Sequence, residues 1–434
     1  MRCEVLSSLY LRSNGDIPCW DDAGSNLQLA HIGENGTVAP EDTLSNHMYT
    51  HIREALAAGR MPWTNICSRC AMLRPNEPYV DSLSRRAIRM LQVEPTVACA
   101  LACPGCSQHI DVRKRNKPLK MAPPTFENFL LNLAGRDFTV QMIEYCGNGE
   151  PLNHPQFRDF VTAARRHYPK VRQRVITNGN FDYTKVLGGV HVDQFMIACD
   201  GARQDSYEQY RRGGNLARVH RFMEDIPRHV DGQRQTKIWK YILFEFNDSE
   251  EELIQAQKMV PDLGLDQILF VVTHSAFASR RFTAHTIADL PIISGNVAVE
   301  YTPIHDTKRR VLRPCAPLAP EVEASGRSII MLDEVSLASD GTLTASGWAL
   351  AKTPIAQIRV YVDGEQVGST QPRQMRLDVH DALPEFGSLS SGFSCRWHPG
   401  GLDRKLAVSL QIMTDDGPAQ MTTHEFFRDP DADS

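Results

Sequence analysis

The chain has 434 residues, of which 42% are hydrophobic and 23% are charged. This length is sufficient for two or three domains that each bury a core of their own. The formal net charge of −5 is too small to favour binding to nucleic acid or to an anionic membrane surface. The composition therefore predicts a soluble protein with several domains.

The sequence contains no apolar run of about 18 residues, the length that a transmembrane helix needs. Its N-terminus lacks the basic and then apolar residues of a secretion signal. The 11 cysteines are odd in number and grouped in motifs, which favours metal ligation in a reducing compartment over a disulfide framework. We therefore expect a cytoplasmic protein without a membrane segment.

The N-terminal part of the chain, residues 1–88, is predicted to form a small domain around four cysteines. These are Cys3, Cys19, Cys67 and Cys70. The segment from Leu9 to Trp20 predicts a β-hairpin with a turn at Asn14-Gly15, and His47 to Gly59 predicts a helix. Four thiolates can close an iron–sulfur cluster or bind a structural zinc ion, so the residues leave a cluster, zinc and no metal open.

The middle of the chain, residues 89–310, alternates short apolar strands with longer amphipathic helices. The predicted strands are Gln92–Thr96, Met142–Tyr145, Arg174–Thr177, Gln194–Ala198, Ile238–Phe244 and Gln267–Val272. The predicted helices between them are Phe126–Leu133, Pro155–His167, Ser206–Met223 and Glu250–Leu263. This alternation predicts a parallel sheet.

Three cysteines follow the first of these strands in the pattern Cys-x3-Cys-x2-Cys. They are Cys99, Cys103 and Cys106. Three thiolates in one loop can bind three irons of a 4Fe–4S cluster and leave the fourth iron open to a small molecule, whereas structural clusters normally use four thiolates. The alternative is a zinc loop or a set of buried thiols. Zinc is disfavoured because zinc sites generally have a fourth ligand and a different spacing.

Polar motifs follow the next three predicted strands. The turn Gly147-Asn-Gly-Glu150 allows close backbone approach to a ligand, and its carboxylate can accept a hydrogen bond from an ammonium group. Thr177-Asn-Gly179 ends one strand and Asp200 follows the next. Because parallel strands end at the same edge of a sheet, we expect these groups to meet. With the cysteine loop, in this order, they resemble the radical S-adenosylmethionine (SAM) superfamily.

The resemblance implies a partial (β/α)6 barrel and a role for each motif. The three cysteines would hold a 4Fe–4S cluster whose open iron binds SAM, and Glu150 would receive the ammonium group of SAM. The full set of implied SAM-binding residues is Gly147, Gly149, Glu150, Thr177, Asn178 and Asp200. One departure is Gly105, where the family often has an aromatic residue near the adenine.

The N-terminal segment resembles the auxiliary cluster domain called SPASM. In most relatives that domain follows the barrel, and here it precedes it. The resemblance implies a second 4Fe–4S cluster on the four N-terminal cysteines. Such a cluster would carry electrons or position substrate, because four thiolates leave no iron open.

Several other residues have two interpretations each. Cys146 is predicted to be a small buried thiol, with hydrogen-atom donation to a substrate radical as the alternative. Arg211 and Arg212 are predicted to be a solvated helix end, with contact to an anionic substrate group as the alternative. Asp200 and Glu245 are expected to face the interior, where they would either orient substrate or form internal hydrogen bonds.

The C-terminal part is predicted to be a linker over residues 311–326 and an all-β sandwich over 327–434. The predicted strands are Ser328–Val335, Leu343–Leu350, Ile358–Val362, Phe393–Trp397, Leu406–Met413 and Thr422–Phe427. Trp348 and Trp397 are interpreted as sandwich core, although they could form a sugar platform. Cys315 in the linker is a conceivable extra ligand for the auxiliary cluster. The region resembles modules appended to glycan-biosynthesis proteins.

Together these features predict an enzyme, a radical SAM oxidoreductase or isomerase. It would cleave SAM reductively and use the 5′-deoxyadenosyl radical on a sugar or sugar-containing metabolite, with oxidation or epimerisation as the outcome. A peptide-modifying maturase is the second hypothesis, and a noncatalytic iron–sulfur carrier or scaffold is the third. An electron donor such as a flavodoxin or ferredoxin is implied, and neither nucleic acid nor a membrane is expected as a partner.

Overall fold

The computed structural model divides the chain into two compact units. It describes residues 1–19, 27–33, 36, 43–68, 70, 72–74, 78–106, 108, 119–273, 275–283, 286–301, 310–323, 326–338, 341–398 and 405–427. The first unit runs from Met1 to Asn296 and includes Tyr301. The second comprises Val297–Glu300 and the described residues from 310 onward. None of the helices in these ranges has the length and apolar character that a membrane crossing requires.

The first unit is built on a parallel sheet. The strands of the unit are β1 (Arg2–Cys3), β2 (Ser8–Leu11), β3 (Asp16–Pro18), β4 (Gln28–His31), β5 (Leu73–Arg74), β6 (Ala87–Val93), β7 (Thr139–Tyr145), β8 (Arg172–Thr177), β9 (Gln194–Ala198), β10 (His229–Val230), β11 (Gln233–Arg234), β12 (Thr236–Leu243) and β13 (Gln267–Val272). Seven of them pair in the order β2-β6-β7-β8-β9-β12-β13, and every one of these pairs is parallel. The pairs β1–β5, β3–β4 and β10–β11 are antiparallel.

Eight α-helices accompany these strands in the described residues. They are α1 (His47–Ala57), α2 (Thr64–Cys67), α3 (Pro123–Ala134), α4 (Phe157–His167), α5 (Tyr183–Leu187), α6 (Gln204–Tyr210), α7 (Leu216–Asp225) and α8 (Glu250–Asp262). Short 3-10 helices cover Glu4–Leu6, Leu83–Arg85, Pro151–Asn153 and Ile287–Asp289. Several helices begin after a residue type that is favoured at the N-cap position. The side chains of Asn46, Asn215 and Ser249 accept backbone hydrogen bonds at the N-termini of α1, α7 and α8.

The two faces of the parallel sheet differ in character because strand side chains alternate. On one face Tyr145 packs edge-on against Phe157 of α4, and its hydroxyl donates to Gln173. On the opposite face, Glu144, Arg174 and Gln194 stand in register on three neighbouring strands, and Arg174 forms an ion pair with Glu144. The helix-covered face therefore packs aromatic side chains against the helices, and the other face carries a row of charged and polar groups.

The six strands predicted for the middle of the chain are all present and parallel. The first is displaced, since β6 spans Ala87–Val93 rather than Gln92–Thr96. The predicted helix Ser206–Met223 is divided into α6 and α7, because Gly213 adopts a φ of +84° that a helix does not allow. The large parallel sheet of a mixed α/β protein is thus confirmed.

The predicted N-terminal hairpin is wrong. The turn forms, with Gly15 at a φ of +88° and the Arg12 amide donating to the Asp16 carbonyl at 2.9 Å. However, β2 pairs in parallel with β6, and β3 pairs with β4 instead. All four residues of β2 are buried, which suits a strand inside a layered sheet better than one in a small hairpin. The predicted domain boundary at residue 88 consequently lies inside the first unit.

The second unit consists of strands with one short helix. The strands are β14 (Val297–Tyr301), β15 (Arg310–Val311), β16 (Arg313–Pro314), β17 (Glu321–Val322), β18 (Ser328–Leu337), β19 (Leu343–Ala351), β20 (Ile355–Val362), β21 (Glu365–Thr370), β22 (Gln374–Met375), β23 (Ser390–Trp397), β24 (Lys405–Thr414) and β25 (Gly417–Phe427). Helix α9 spans Leu377–Ala382, and a 3-10 helix spans Pro384–Phe386.

Two sheets of the second unit share one core. One sheet has the order β15-β18-β19-β23-β22-β14, with β17 also on β18, and the other has the order β16-β25-β24-β20-β21. Ile330 and Phe393 of the first sheet and Val360 and Leu410 of the second are all fully buried in the shared cluster. The predicted linker 311–326 is wrong as a free segment, because β16 pairs with β25 and β17 with β18. Residues 324 and 325 lie outside the described residues.

Candidate active site

The predicted site motifs follow neighbouring strands of the parallel sheet. The cysteine loop comes after β6, the glycine-rich turn after β7, Asn178 after β8 and Asp200 after β9. The carboxyl ends of these strands lie at one edge, so the motifs are brought to a common place. The structure joins them by direct contacts, which are described in turn below.

The cysteine loop is held by its own backbone and by the polypeptide after α6. Cys103 is 9% exposed, while Cys99 and Cys106 are partly exposed. The Leu101 amide donates to Cys99 Sγ at 3.4 Å and the Gln108 amide donates to Cys106 Sγ at 3.4 Å. The Ala102 amide donates to the Arg212 carbonyl at 3.0 Å. Amide-to-sulfur bonds of this kind stabilise thiolates that carry a cluster.

The thiols of this loop are close enough to affect one another electrostatically. The pKa of Cys99 is raised to about 11, mainly by burial and in smaller part by Glu150, Cys103 and Cys106. Burial also raises the pKa of Cys103, and the nearby Arg211 lowers it. Three converging thiols suit a cluster as ligands. No set of three or more His, Cys, Asp and Glu side chains in the described residues is arranged to hold a single metal ion.

Glu150 is buried at 3% exposure and receives three hydrogen bonds. Its Oε1 accepts from the Thr177 hydroxyl at 2.8 Å and from the Leu152 amide at 3.1 Å. Its Oε2 accepts from the Asn178 amide at 2.8 Å. Burial raises the pKa of Glu150 to about 7, although these hydrogen bonds lower it. Two carboxylate oxygens offer about four lone-pair sites, so capacity for one further donor remains.

Asn178 connects the carboxylate to the cysteine loop. Its backbone amide binds Glu150, and its side-chain amide donates to Cys99 Sγ at 3.8 Å. The Glu150 amide in turn donates to the Ala98 carbonyl at 3.0 Å, next to Cys99. The predicted residues Glu150, Thr177 and Asn178 are thus assembled beside the first cysteine of the loop.

The two glycines of the turn allow it to lie against the end of β6. A Cβ atom on Gly149 would be 2.1 Å from the Thr96 carbonyl oxygen, and one on Gly147 would be 2.6 Å from Glu94 Cγ. Real Cβ atoms do not approach backbone this closely, so larger residues would displace the turn. These glycines therefore allow the turn to approach the end of β6 closely, whereas the sequence analysis expected a close approach to a ligand.

Glu94 is a site residue that the sequence analysis did not find. It is 1% exposed and accepts hydrogen bonds from the Tyr10 hydroxyl (3.1 Å), the Ser13 hydroxyl (3.0 Å) and the Asn148 amide (2.8 Å). Glu94 therefore fixes the glycine-rich turn to the N-terminal segment. Its position directly after a strand and before Pro95 is the one feature of the sequence that could have indicated this role. The sequence does not identify its partners, because they are distant along the chain.

Asp200 is fully buried and is occupied by protein groups. Its Oδ2 accepts from Arg211 Nε at 2.6 Å, and its Oδ1 accepts from the Ile242 amide at 2.8 Å. The prediction of a solvated helix end is wrong for Arg211, whose side chain is only 14% exposed and whose Nη1 lies 3.9 Å from Cys103 Sγ. Burial alone would lower the pKa of Arg211, but Asp200 and Cys103 raise it. Asp200 therefore positions a permanent cation beside the cysteine loop.

The four N-terminal cysteines form a second, separate group. All are buried, with exposures of 8% for Cys3, 6% for Cys19, 8% for Cys67 and 6% for Cys70. β1 sets Cys3 opposite Leu73, and the Cys70 amide donates to the Cys67 carbonyl at 3.2 Å. The pKa of Cys3 and of Cys19 is raised to about 12, mainly by burial and in smaller part by neighbouring cysteines. These four thiols are thus buried and within electrostatic reach of one another, although no group of three or more His, Cys, Asp and Glu side chains in the described residues is arranged to hold a metal ion.

The remaining candidates lie in different surroundings. Cys146 is partly buried and its thiol donates to Glu144 at 3.3 Å, and burial raises its pKa well above the usual value. Glu245 is not an interior group, because it is 48% exposed and lies 3.6 Å from Arg280. Cys315 is exposed in the second unit. Trp348 and Trp397 are 8% and 7% exposed, in agreement with a structural role.

Comparisons with known proteins give similarities among solved structures only. No protein-family model matches the sequence, and no curated protein matches it. A structure of Streptococcus suis SuiB bound to precursor peptide SuiA is 12% identical, with a TM-score of 0.39, and the match covers 65% of this chain and 66% of that chain. A radical SAM methyltransferase from Sphaerobacter thermophilus is 15% identical, with a TM-score of 0.38, and the match covers 49% and 66% of the two chains.

A third similar structure is BtrN in complex with AdoMet and 2-DOIA. It is 22% identical, with a TM-score of 0.27, and the match covers 35% of this chain and 56% of that chain. The matched structures are radical SAM enzymes. That is the superfamily which the sequence motifs resemble. Since TM-scores this low do not establish a common fold, the function is inferred from the residues themselves.

Proposed function

We propose that this chain is a radical SAM enzyme, with Cys99, Cys103 and Cys106 as ligands of a 4Fe–4S cluster. The observation that carries the proposal is the assembly around Asn178, which contacts both Cys99 Sγ and the Glu150 carboxylate. A loop of three thiols that faces a buried carboxylate joins an iron site to a site for an ammonium group. A partial barrel is part of the proposal, with the parallel sheet as its wall.

The residues present fit this cofactor pair. Amide groups of the loop donate to the thiols, and two ligand cysteines are partly exposed, so a small molecule has access. When bound, the cluster and SAM would supply a 5′-deoxyadenosyl radical for hydrogen abstraction from an unactivated C–H bond. The protein's own contribution is to bind, orient and enclose the reactants.

Each site residue has a defined task in this proposal. Glu150 accepts the ammonium group of SAM, and the donors Thr177 and Asn178 keep its carboxylate turned toward the loop. Arg211, fixed by Asp200, places positive charge beside Cys103, where the carboxylate of SAM would approach. Gly147 and Gly149 hold the turn against β6.

We further propose a second 4Fe–4S cluster on Cys3, Cys19, Cys67 and Cys70. Four buried thiols within electrostatic reach of one another support a closed metal site, and the second cysteine motif in the same unit favours iron. A structural zinc ion is the alternative, since four thiolates bind zinc equally well. Anaerobic measurement of iron, zinc and sulfide per chain distinguishes the two.

The proposed substrate is a sugar or sugar-containing metabolite, which is oxidised or epimerised. The resemblance of the C-terminal residues to modules of glycan-biosynthesis proteins supports this choice. The second candidate is a peptide, as in SuiB, a similar structure that is bound to a precursor peptide. A flavodoxin or ferredoxin would supply electrons, and the reducing cytoplasm would protect the clusters.

The decisive experiment is anaerobic reconstitution followed by addition of SAM and dithionite. The amount of 5′-deoxyadenosine is measured with fractionated cell extract, and Cys103→Ala serves as the control. Stimulation by a small-molecule fraction supports the sugar hypothesis, whereas stimulation only by a peptide fraction supports the maturase. If the wild type assembles clusters but produces no more 5′-deoxyadenosine than Cys103→Ala, the chain is a carrier or scaffold.

A further inference from the structure

Lys240 lies on the polar face of the parallel sheet, opposite the helices. Its neighbours in β12 are fully buried on the helix side, where Trp239 Nε1 donates to the Cys199 carbonyl at 2.6 Å and packs near His220 of α7. The Tyr241 hydroxyl donates to the Asn247 carbonyl at 2.8 Å on that same side. Because strand side chains alternate, Lys240 projects from the other face.

Lys240 stands in the same row of the sheet as the proposed SAM site. It pairs in register with Ala198 of β9, and Thr177 of β8 pairs with Ile197, so Asn178, Ala198 and Lys240 follow one another across three strands. Neighbouring strands lie about 4.8 Å apart, which places Lys240 about 10 Å from Asn178 along this row. The residue between them, Ala198, has a small side chain.

Three other cations on or near this sheet have protein partners. Arg174 pairs with Glu144, Arg211 pairs with Asp200, and Lys237 donates to the Met223 and Ile226 carbonyls at 2.9 and 3.1 Å. Lys240 is partly exposed, and no residue that the structure describes forms a hydrogen bond or ion pair with its ammonium group. Its electrostatic neighbour is the Cys146 thiol, whose pKa burial raises and Lys240 lowers. An ammonium group has three donors, so that of Lys240 is available to bind an anion.

We propose that Lys240 binds an anionic group of the substrate, a carboxylate or a phosphate, beside the SAM site. The inference rests on the proposed function and narrows its substrate class to a sugar acid or a sugar phosphate. Lysine suits this task because its ammonium is a compact charge that neutralises either anion. The partial exposure of Lys240 means that such a molecule can reach it from solvent.

Equilibrium dialysis tests the proposal without depending on turnover. The anaerobically reconstituted full chain with SAM is dialysed against the small-molecule fraction of cell extract, and metabolites on both sides are compared by mass spectrometry. The proteins compared are wild type, Lys240→Gln, Lys240→Arg and, as a matched control, Lys258→Gln, which changes an exposed lysine of α8. Phosphatase treatment of the extract distinguishes a phosphate ligand, which it removes, from a carboxylate ligand.

We expect wild type and Lys258→Gln to enrich an anionic metabolite. In Lys240→Gln the enrichment should fall about tenfold, because one ion pair with the anion is lost. Lys240→Arg keeps the positive charge and should retain part of the enrichment. Equal enrichment by wild type and Lys240→Gln, enrichment of neutral metabolites alone, or none by wild type would overturn the proposal. If Lys240→Gln does not fold or assemble clusters, Lys240→Met replaces it in the same comparison.

The dialysis and the SAM-cleavage assay can fail separately. If wild type enriches an anion through Lys240 but does not cleave SAM, the proposed function fails and the anion site stands. If SAM is cleaved and enrichment does not depend on Lys240, the proposed function stands and the anion site is wrong.

Discussion

The two cysteine groups of the first unit lie in different environments. In the N-terminal group all four residues are buried at 6 to 8% exposure, whereas only Cys103 is buried in the loop after β6. The groups that act on the thiol pKa differ as well. Burial is the largest influence on the pKa of both Cys19 and Cys103; the further influences are other cysteines for Cys19 and mainly the charged pair Arg211 and Asp200 for Cys103. Under the proposed function, the first group would enclose its cluster, and the second would leave its cluster open to a small molecule.

The largest effect is expected from Cys103→Ala. Removing one of three thiolates should abolish 5′-deoxyadenosine formation and lower the iron content by about half, because a cluster on two thiolates is not retained. Iron analysis and product quantification under anaerobic conditions check this. The control is Cys315→Ala, an exposed thiol of the second unit. If Cys103→Ala cleaved SAM as fast as the wild type, the proposed difference in function between the two cysteine groups would be wrong.

The double substitution Cys67→Ala/Cys70→Ala should affect the enclosed group instead. We expect about half of the iron to be lost and the melting temperature to fall, because metal binding contributes directly to the folding of such sites. SAM cleavage should persist, since the loop after β6 is intact. Scanning calorimetry and the SAM-cleavage assay measure both properties. Loss of zinc rather than iron would reassign the enclosed group to a structural zinc site.

Glu150→Gln should weaken SAM binding while the cluster remains. A charge-assisted hydrogen bond contributes about 1.5–3 kcal/mol, so the dissociation constant of SAM should rise about 10- to 100-fold. The glutamine amide would also face the Thr177 and Asn178 donors that the carboxylate now satisfies. Calorimetric titration measures the affinity. Glu251→Gln on the exposed side of α8 is the control, and equal affinities would show that Glu150 only supports the turn.

Gly149→Ala should produce the smallest of these effects. Its Cβ would be 2.1 Å from the Thr96 oxygen, so the turn must shift, at a cost of about 1–3 kcal/mol in the free energy of unfolding. Gly295→Ala is the matched control, because no atom lies within 4 Å of a Cβ there. Denaturant unfolding followed by circular dichroism measures the difference. Equal stabilities would mean that the turn does not depend on close packing against β6.

The sequence predicts those parts of the site that depend on local patterns. Cys99, Glu150 and Asn178 stand in short motifs that follow apolar strands, and the structure places them in contact. A parallel sheet brings such motifs together whatever their distance along the chain. Glu94 could not be found in this way, and the burial of Arg211 against Asp200 could not be predicted, because the partners of both side chains are known only once the chain is folded.

The N-terminal hairpin shows a further limit of local patterns. An Asn-Gly pair predicts a turn, and the turn at Gly15 is present. The turn does not determine which strands will pair, and β2 finds a better partner in β6, where its four buried residues join a larger core. β2 therefore pairs with β6 and not with β3, its nearest strand in sequence, because the pairing with β6 buries more of its side chains.

The position of β2 also bears on how the protein can be shortened. The segment Ser8–Leu11 covers the outer edge of β6, with Ser8 opposite Met90 and Leu11 opposite Val93. Without it, a row of backbone amide and carbonyl groups on β6 would be open to strands from other molecules. A truncated form that begins after Leu11 would therefore self-associate through this edge, although every cysteine of the loop after β6 is still present.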